Sequence, residues 1–149
     1  MAVKPIPEGF HTVTPYLVVE GVPQLIEFIC AGLGGELLEK SEMPDGTVMH
    51  AQVKVGDSIV MMGEAQEEWK PLPCFLYLYV PDADALYNQA VAAGGTSVQE
   101  PRDEFYGDRT SAVKDPGGNT WYIATHIEDV PDDEMQARAE KFAAENRGS

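Results

Sequence analysis

A chain of 149 residues with 44% apolar residues is long enough to bury one core and too apolar to be wholly disordered. Its 25 acidic against 10 basic side chains, a formal charge of −15, argue against nucleic acid and anionic membrane surfaces as partners and permit a cationic ligand. No apolar run reaches membrane length, and the opening MAVKPIPEGF has no continuous apolar stretch of the signal-peptide kind. Cys30 and Cys74 are too few for a disulfide framework and read as reduced core residues, so the expected location is the cytoplasm.

The first β-rich run lies in TPYLVV from Thr14. A helix follows, opened by Pro23, with Leu25, Phe28, Ile29 and Leu33 on one face and Gly34-Gly35 at its end. Met43-Pro44-Asp45-Gly46 is a turn, and VMHAQVKVGDSIVMM is a hairpin turning at Gly56-Asp57. After the link MGEAQEEWKPLP the pattern repeats. FLYLYV from Phe75 is a strand. Asp82 opens a helix whose inner face carries Ala83, Leu86, Tyr87, Ala90 and Val91, and Gly94-Gly95 closes it. TSAVKDPGGNTWYIATH then turns at Asp115–Asn119. Tyr16 and Tyr77, Leu17 and Leu78, Val19 and Val80, and Leu25 and Leu86 all stand 61 residues apart, which marks an internal repeat. An acidic amphipathic tail from about Asp132 to Asn146 is expected to form a last helix, solvated or packed on a partner. The expected fold is α+β: one domain over 1–149, with βαβββ modules at about 10–64 and 74–127 and a helical tail at about 130–146.

The segments HTVTPYLVVEGVPQLIEF, DGTVMHAQVKVGDSIVMM and FYGDRTSAVKDPGGNTWYIATH, followed by IEDV, resemble the vicinal oxygen chelate superfamily of glyoxalases, bleomycin-resistance proteins and dioxygenases. Within it they look most like the PhnB-like branch. The resemblance covers about residues 10–130. It implies two tandem βαβββ modules forming a cupped, barrel-like mixed sheet with helices outside, a ligand or metal in the concave face, and a homodimer. It also implies four metal-ligand positions, which fall on Thr14, Met61, Phe75 and Tyr122. None of these side chains replaces imidazole or carboxylate, so neither a metal nor another cofactor is expected.

A two-residue turn at Gly56-Asp57 sets Val55 opposite Ser58, Gln52 opposite Met61 and His50 opposite Gly63. Alternation then places His50 and Gln52 in the cup and Ala51, Val53 and Val55 against the helix; Tyr122, Ala124 and His126 also share a face. The expected ligand-binding set is Thr14, Tyr16, His50, Gln52, Met61, Phe75, Tyr77, Tyr79, Arg109 and Tyr122. Arg109 on the cup rim is either an anion clamp or the partner of Asp108. A His50/His126 pair is conceivable, against the alternative of separately hydrogen-bonded strand-end histidines. The leading functional expectation is a metal-free protein that binds a small organic molecule, cations included. The alternatives are a glyoxalase-like lyase, isomerase or dioxygenase with a relocated metal or with His50 as catalytic base, and a structural or regulatory dimer with a vestigial cup.

Overall fold

The computed structural model describes residues 2–147. Within them the first module runs β1 (Tyr16–Val19), α1 (Val22–Leu33), β2 (Glu36–Glu42), β3 (Val48–Val55) and β4 (Ser58–Glu64). The second runs β5 (Phe75–Tyr79), α2 (Ala83–Ala92), β6 (Thr96–Asp103), β7 (Asp108–Lys114) and β8 (Thr120–His126), and α3 (Asp132–Asn146) follows. Each module builds a four-stranded mixed sheet, ordered β1-β4-β3-β2 and β5-β8-β7-β6, with its first strand parallel to its last. The tandem βαβββ reading therefore holds, with two separate sheets in place of a closed barrel.

The repeat keeps its register between the modules. Tyr16 pairs with Met61, and 61 residues on Tyr77 pairs with Tyr122. The first hairpin pairs Val55 with Ser58, Gln52 with Met61 and His50 with Gly63, as its turn requires. Ala51, Val53 and Val55 are buried on the helix side. So are Leu17 and Val19 of β1, Trp121 and Ile123 of β8, and the Leu25, Phe28, Ile29 and Leu33 face of α1. These residues join α2's Ala83, Tyr87 and Ala90 in one core shared by both modules. Each such large side chain contributes roughly 1.5–3 kcal/mol by leaving water. Val91, expected on the inner face of α2, is instead partly exposed, because the buried stripe of this short helix is only three residues wide.

The double glycines have two different jobs. Gly34 and Gly94 take left-handed backbone, with φ of 70° and 106°. Gly35 and Gly95 permit close approach: a Cβ at Gly35 would lie 2.7 Å from Ile29, and one at Gly95 would lie 2.9 Å from both the Ala90 carbonyl and Phe28. Helix starts are anchored by the last strand of each module. Gly21 offers α1 no side-chain cap, and the Glu64 carboxylate accepts from the Gly21 and Val22 amides at 2.8 and 3.1 Å. Asp82 caps α2 through the Ala85 amide, and Thr125, 61 residues after Glu64, accepts from the Ala83 amide at 2.8 Å. The helices thus hold each sheet's back face, and the opposite faces remain open for the site. α3 buries no residue fully. It is tied down by a tilted ring contact of Phe142 with Phe105 and by Arg138 donating to Glu128 and the Phe105 carbonyl.

Candidate functional site

On the first module's open face stand Tyr16, His50, Gln52 and Met61. The Tyr16 hydroxyl lies 3.4 Å from His50 Nδ1, and the Gln52 amide nitrogen lies 3.5 Å from His50 Nε2. Both contacts are long, so the imidazole is loosely held. The N-terminal arm folds over this face. Ile6, Phe10 and His11 of the arm join Thr14, Gln52 and Met61 around a cavity of about 530 Å³.

The second module's face is aromatic. Phe75, Tyr77 and Tyr79 stand side by side on β5, and Tyr122 stands on the neighbouring β8. Tyr77 stacks on Tyr122 with ring centroids 5.8 Å apart; Phe75 and Tyr122 are 5.8 Å apart, and Tyr77 and Tyr79 5.2 Å. The three β5 rings are open to solvent, with Phe75 73% and Tyr79 65% exposed, and Tyr122 is half-buried. Ala124, paired with Tyr79, and Ala112, paired with Tyr122, share this face and are fully buried. Small residues there let the Tyr77 and Tyr79 side chains reach across the sheet to β7. Phe75, Tyr77 and Tyr122 bound a recess of about 330 Å³.

What the tyrosines reach is Asp108, at the start of β7. Its Oδ2 accepts from the Tyr77 and Tyr79 hydroxyls at 2.8 and 2.9 Å, and its Oδ1 lies 2.9 Å from His126 Nδ1. The other imidazole nitrogen lies 2.7 Å from Asp129 Oδ1. Burial pushes the Asp108 carboxyl up, but hydrogen bonds from His126, Tyr77 and Tyr79 outweigh it and hold the group below the usual carboxylate value. Burial, then the hydrogen bonds with Asp108 and Tyr106, push the Tyr77 hydroxyl far above an ordinary phenol. The Asp108 bond raises Tyr79 in the same direction. The contacts to Asp108 and Asp129 raise His126.

Arg109 is neither on the cup rim nor paired with Asp108. Alternation along β7 sends it to the helix side, where its guanidinium meets Asp84 of α2 through two nitrogens, at 2.7 and 3.0 Å, and Asp103 at 2.9 Å. His50, within β3, and His126, at the end of β8, belong to separate networks on separate sheets. The residues at the metal positions implied by the resemblance do not suit a metal. Thr14 donates to the His11 carbonyl, Met61 lines the arm cavity, and Phe75 and Tyr122 form a ring pair. Among the described residues no group of three or more His, Cys, Asp or Glu side chains could hold a metal ion. Asp108 as the hub is not evident from sequence. The available signal is its odd-even parity with Ala112 and Thr110, but using it requires the β7–β8 register across a five-residue turn.

This architecture defines the class. Residues 9–123 match the model of the Glyoxalase/Bleomycin resistance protein/Dioxygenase superfamily, and the chain belongs to that family. An uncharacterized protein of Mycobacterium bovis is 30% identical over 83% of this chain and 89% of its own length. Among solved structures, TioX from Micromonospora superposes with a TM-score of 0.64 at 22% identity, over 81% of this chain and all of that one. PA1353 from Pseudomonas aeruginosa gives 0.63 at 21%, over 79% and 99%.

Proposed function

We propose that the protein is a small-molecule-binding member of the family, in its PhnB-like branch, which holds an organic cation against the aromatic face of the second module without a metal. The observation that carries this reading is the mutually contacting set Phe75, Tyr77, Tyr79 and Tyr122, the first three exposed and Tyr122 half-buried, in which Tyr77 and Tyr79 donate to a buried carboxylate. Exposed aromatic clusters are costly unless they meet something. Ring faces attract cations by about 0.5–2 kcal/mol each. The Asp108 charge and the overall −15 act in the same direction.

The test is an NMR titration with benzyltrimethylammonium, with benzenesulfonate as the anionic comparison. The expected result is saturable binding of the cation alone, weakened about tenfold in Tyr122→Leu, the equivalent of about 1.4 kcal/mol. Equal binding of both probes, or none of the cation, sinks the reading. The metal-free part is tested by elemental analysis after incubation with Zn²⁺, Ni²⁺ and Fe²⁺ and desalting, where only trace retention is expected. A near-stoichiometric load lost in His50→Ala refutes it.

The reading includes a cytoplasmic homodimer. Cys30 and Cys74, both free thiols, support a reducing compartment. The unpaired edge of β5, which borders a groove of about 880 Å³ between Leu76, Leu78 and Leu86 and the first module's hairpin over residues 55–60, supports a second copy as partner. Light scattering of the eluting protein tests it.

A further inference from the structure

The open rings of the second module connect to solvent through one chain of contacts. Tyr77 and Tyr79 donate to one oxygen of Asp108, and His126 meets the other oxygen. Asp129 then meets the far nitrogen of His126. The Asp108 side chain is 4% exposed and that of His126 50%, so the outer member of the pair can exchange protons while the inner one stays dry. A neutral imidazole has one N–H and can donate to only one of its two carboxylate neighbours, whereas the protonated ring donates to both. The charge of Asp108 also feeds the rings. A phenol donating to a carboxylate is richer in electrons than one donating to water, and the face of such a ring attracts a cation more strongly.

We infer that the Asp108–His126 pair sets the strength with which the aromatic face holds a cation. With His126 neutral, the Asp108 charge stands uncompensated behind the rings. With His126 protonated, the pair is neutral and the attraction falls. This rests on the cation reading of that face and adds its control by pH. The other charged or titratable groups around the pair are Tyr77 and Tyr79 on β5, Tyr106 in the β6–β7 loop, and Asp129 and Glu128 beyond β8, with Glu128 held by Arg138 of α3. Glu104, close to the start of β7, is engaged by Arg102 and Thr110. Of these His126 is the group that changes charge near neutrality. Its contacts with Asp108 and Asp129 favour the protonated form, so the change falls above the ordinary histidine value.

The experiment measures the dissociation constant of benzyltrimethylammonium at about pH 6 and about pH 8.5 by NMR titration. Wild-type protein should bind about fivefold tighter at the higher pH, the size of one partly screened unit charge. His126→Gln keeps a hydrogen-bonding side chain without the titration and should bind equally at both. Asp108→Asn should bind weakly at both. His50→Gln should keep the wild-type ratio, which separates a local effect from general charge. In ligand-free wild-type protein the ring resonances of Tyr77 and Tyr79 should shift with the His126 titration, and this readout needs no bound probe. The inference is overturned if cation binding is pH-independent in the wild type, if His126→Gln keeps the wild-type ratio, or if the tyrosine rings ignore the titration. Absence of cation binding at either pH overturns the reading of the face itself.

Discussion

Replacing Asp115 tests whether the turn before β8 sets the aromatic face. Asp115 is buried, and its carboxylate accepts from Trp121 Nε1 at 2.7 Å, from the Asn119 amide at 3.0 Å, from the Asn119 side chain at 3.1 Å and from the Gly117 amide at 2.8 Å. Trp121 and Asn119 are fully buried. Alanine at 115 therefore strands the indole N–H and both Asn119 donors in the core. Each stranded donor costs about 1–3 kcal/mol, and water entering the vacated carboxylate site recovers part of it, so a net loss of about 4 kcal/mol is expected. That is a large share of the roughly 5–15 kcal/mol typical of a whole domain. At about 2–4 °C per kcal/mol for a chain of this size, Tm falls by about 8–16 °C. Asp115→Asn keeps one acceptor oxygen and should lose about half as much. Asn119 Oδ1 also accepts from the Cys74 amide at 3.1 Å, just before β5. The weakened turn should therefore loosen the β5–β8 joint carrying Phe75 and Tyr122. Urea unfolding at constant m measures the stability, and amide exchange at Thr120, which donates to the Cys74 carbonyl, measures the joint. A loss below about 1 kcal/mol in Asp115→Ala refutes the reasoning, since it requires that none of these donors was relying on the carboxylate.

Gly107→Ala should cost about 3 kcal/mol or more, because Gly107 sits at φ 101° and an added Cβ would lie 2.2 Å from the Glu128 carbonyl oxygen; urea unfolding and the loss of helical ellipticity from a detached α3 report it. Arg109→Gln should leave cation binding unchanged in the NMR titration, because the guanidinium serves Asp84 and Asp103 on the helix side. The stability that His126 supplies should be fully present below its unfolded value near 6.5 and lost as pH rises through its raised folded value. Asp108, held low in the fold, supplies stability above its unfolded value near 3.9 that is lost as pH falls through the folded one. The urea midpoint of wild type should therefore exceed that of His126→Gln at about pH 5.5, with the gap shrinking at about pH 8.5; a constant gap contradicts the assignment.

The repeat is legible in sequence because both of its periods are local. A two-residue Gly56-Asp57 turn leaves no freedom in pairing, so the whole first hairpin, from Val55 opposite Ser58 to His50 opposite Gly63, follows from the turn and the alternation of side chains alone. The faces of α1 and β3 follow from spacing in the same way. The second hairpin is not legible by that route. Its turn is longer and is organised by the Asp115 side chain, and the register it sets, Asp108 opposite His126 and Arg109 opposite Thr125, decides which charge meets the rings. With Asp108 and Arg109 adjacent and opposite in sign, a sequence invites pairing them. A strand sends neighbours to opposite faces, so each finds partners its neighbour cannot reach.

The same geometry explains why two modules with one repeated pattern diverge in chemistry. Tyr16 and Tyr77 occupy matching places in the register. Tyr16 meets a loosely held histidine, with the N-terminal arm packed beside it against Gln52 and Met61, while Tyr77 meets a buried carboxylate across the small side chain of Ala124. An imidazole 3.4 Å from a phenol supplies little field. A desolvated carboxylate taking two phenol hydroxyls supplies a fixed negative charge that solvent screens poorly. Enlarging Ala124 to Val tests this division directly. It should lift the Tyr77 and Tyr79 rings off the sheet, break their contacts with Asp108 and weaken cation binding, while the first module's Tyr16–His50 contact stays as it is. NMR shifts of the four residues distinguish the outcomes, and unchanged binding with displaced rings would show that the carboxylate contact contributes nothing to the face.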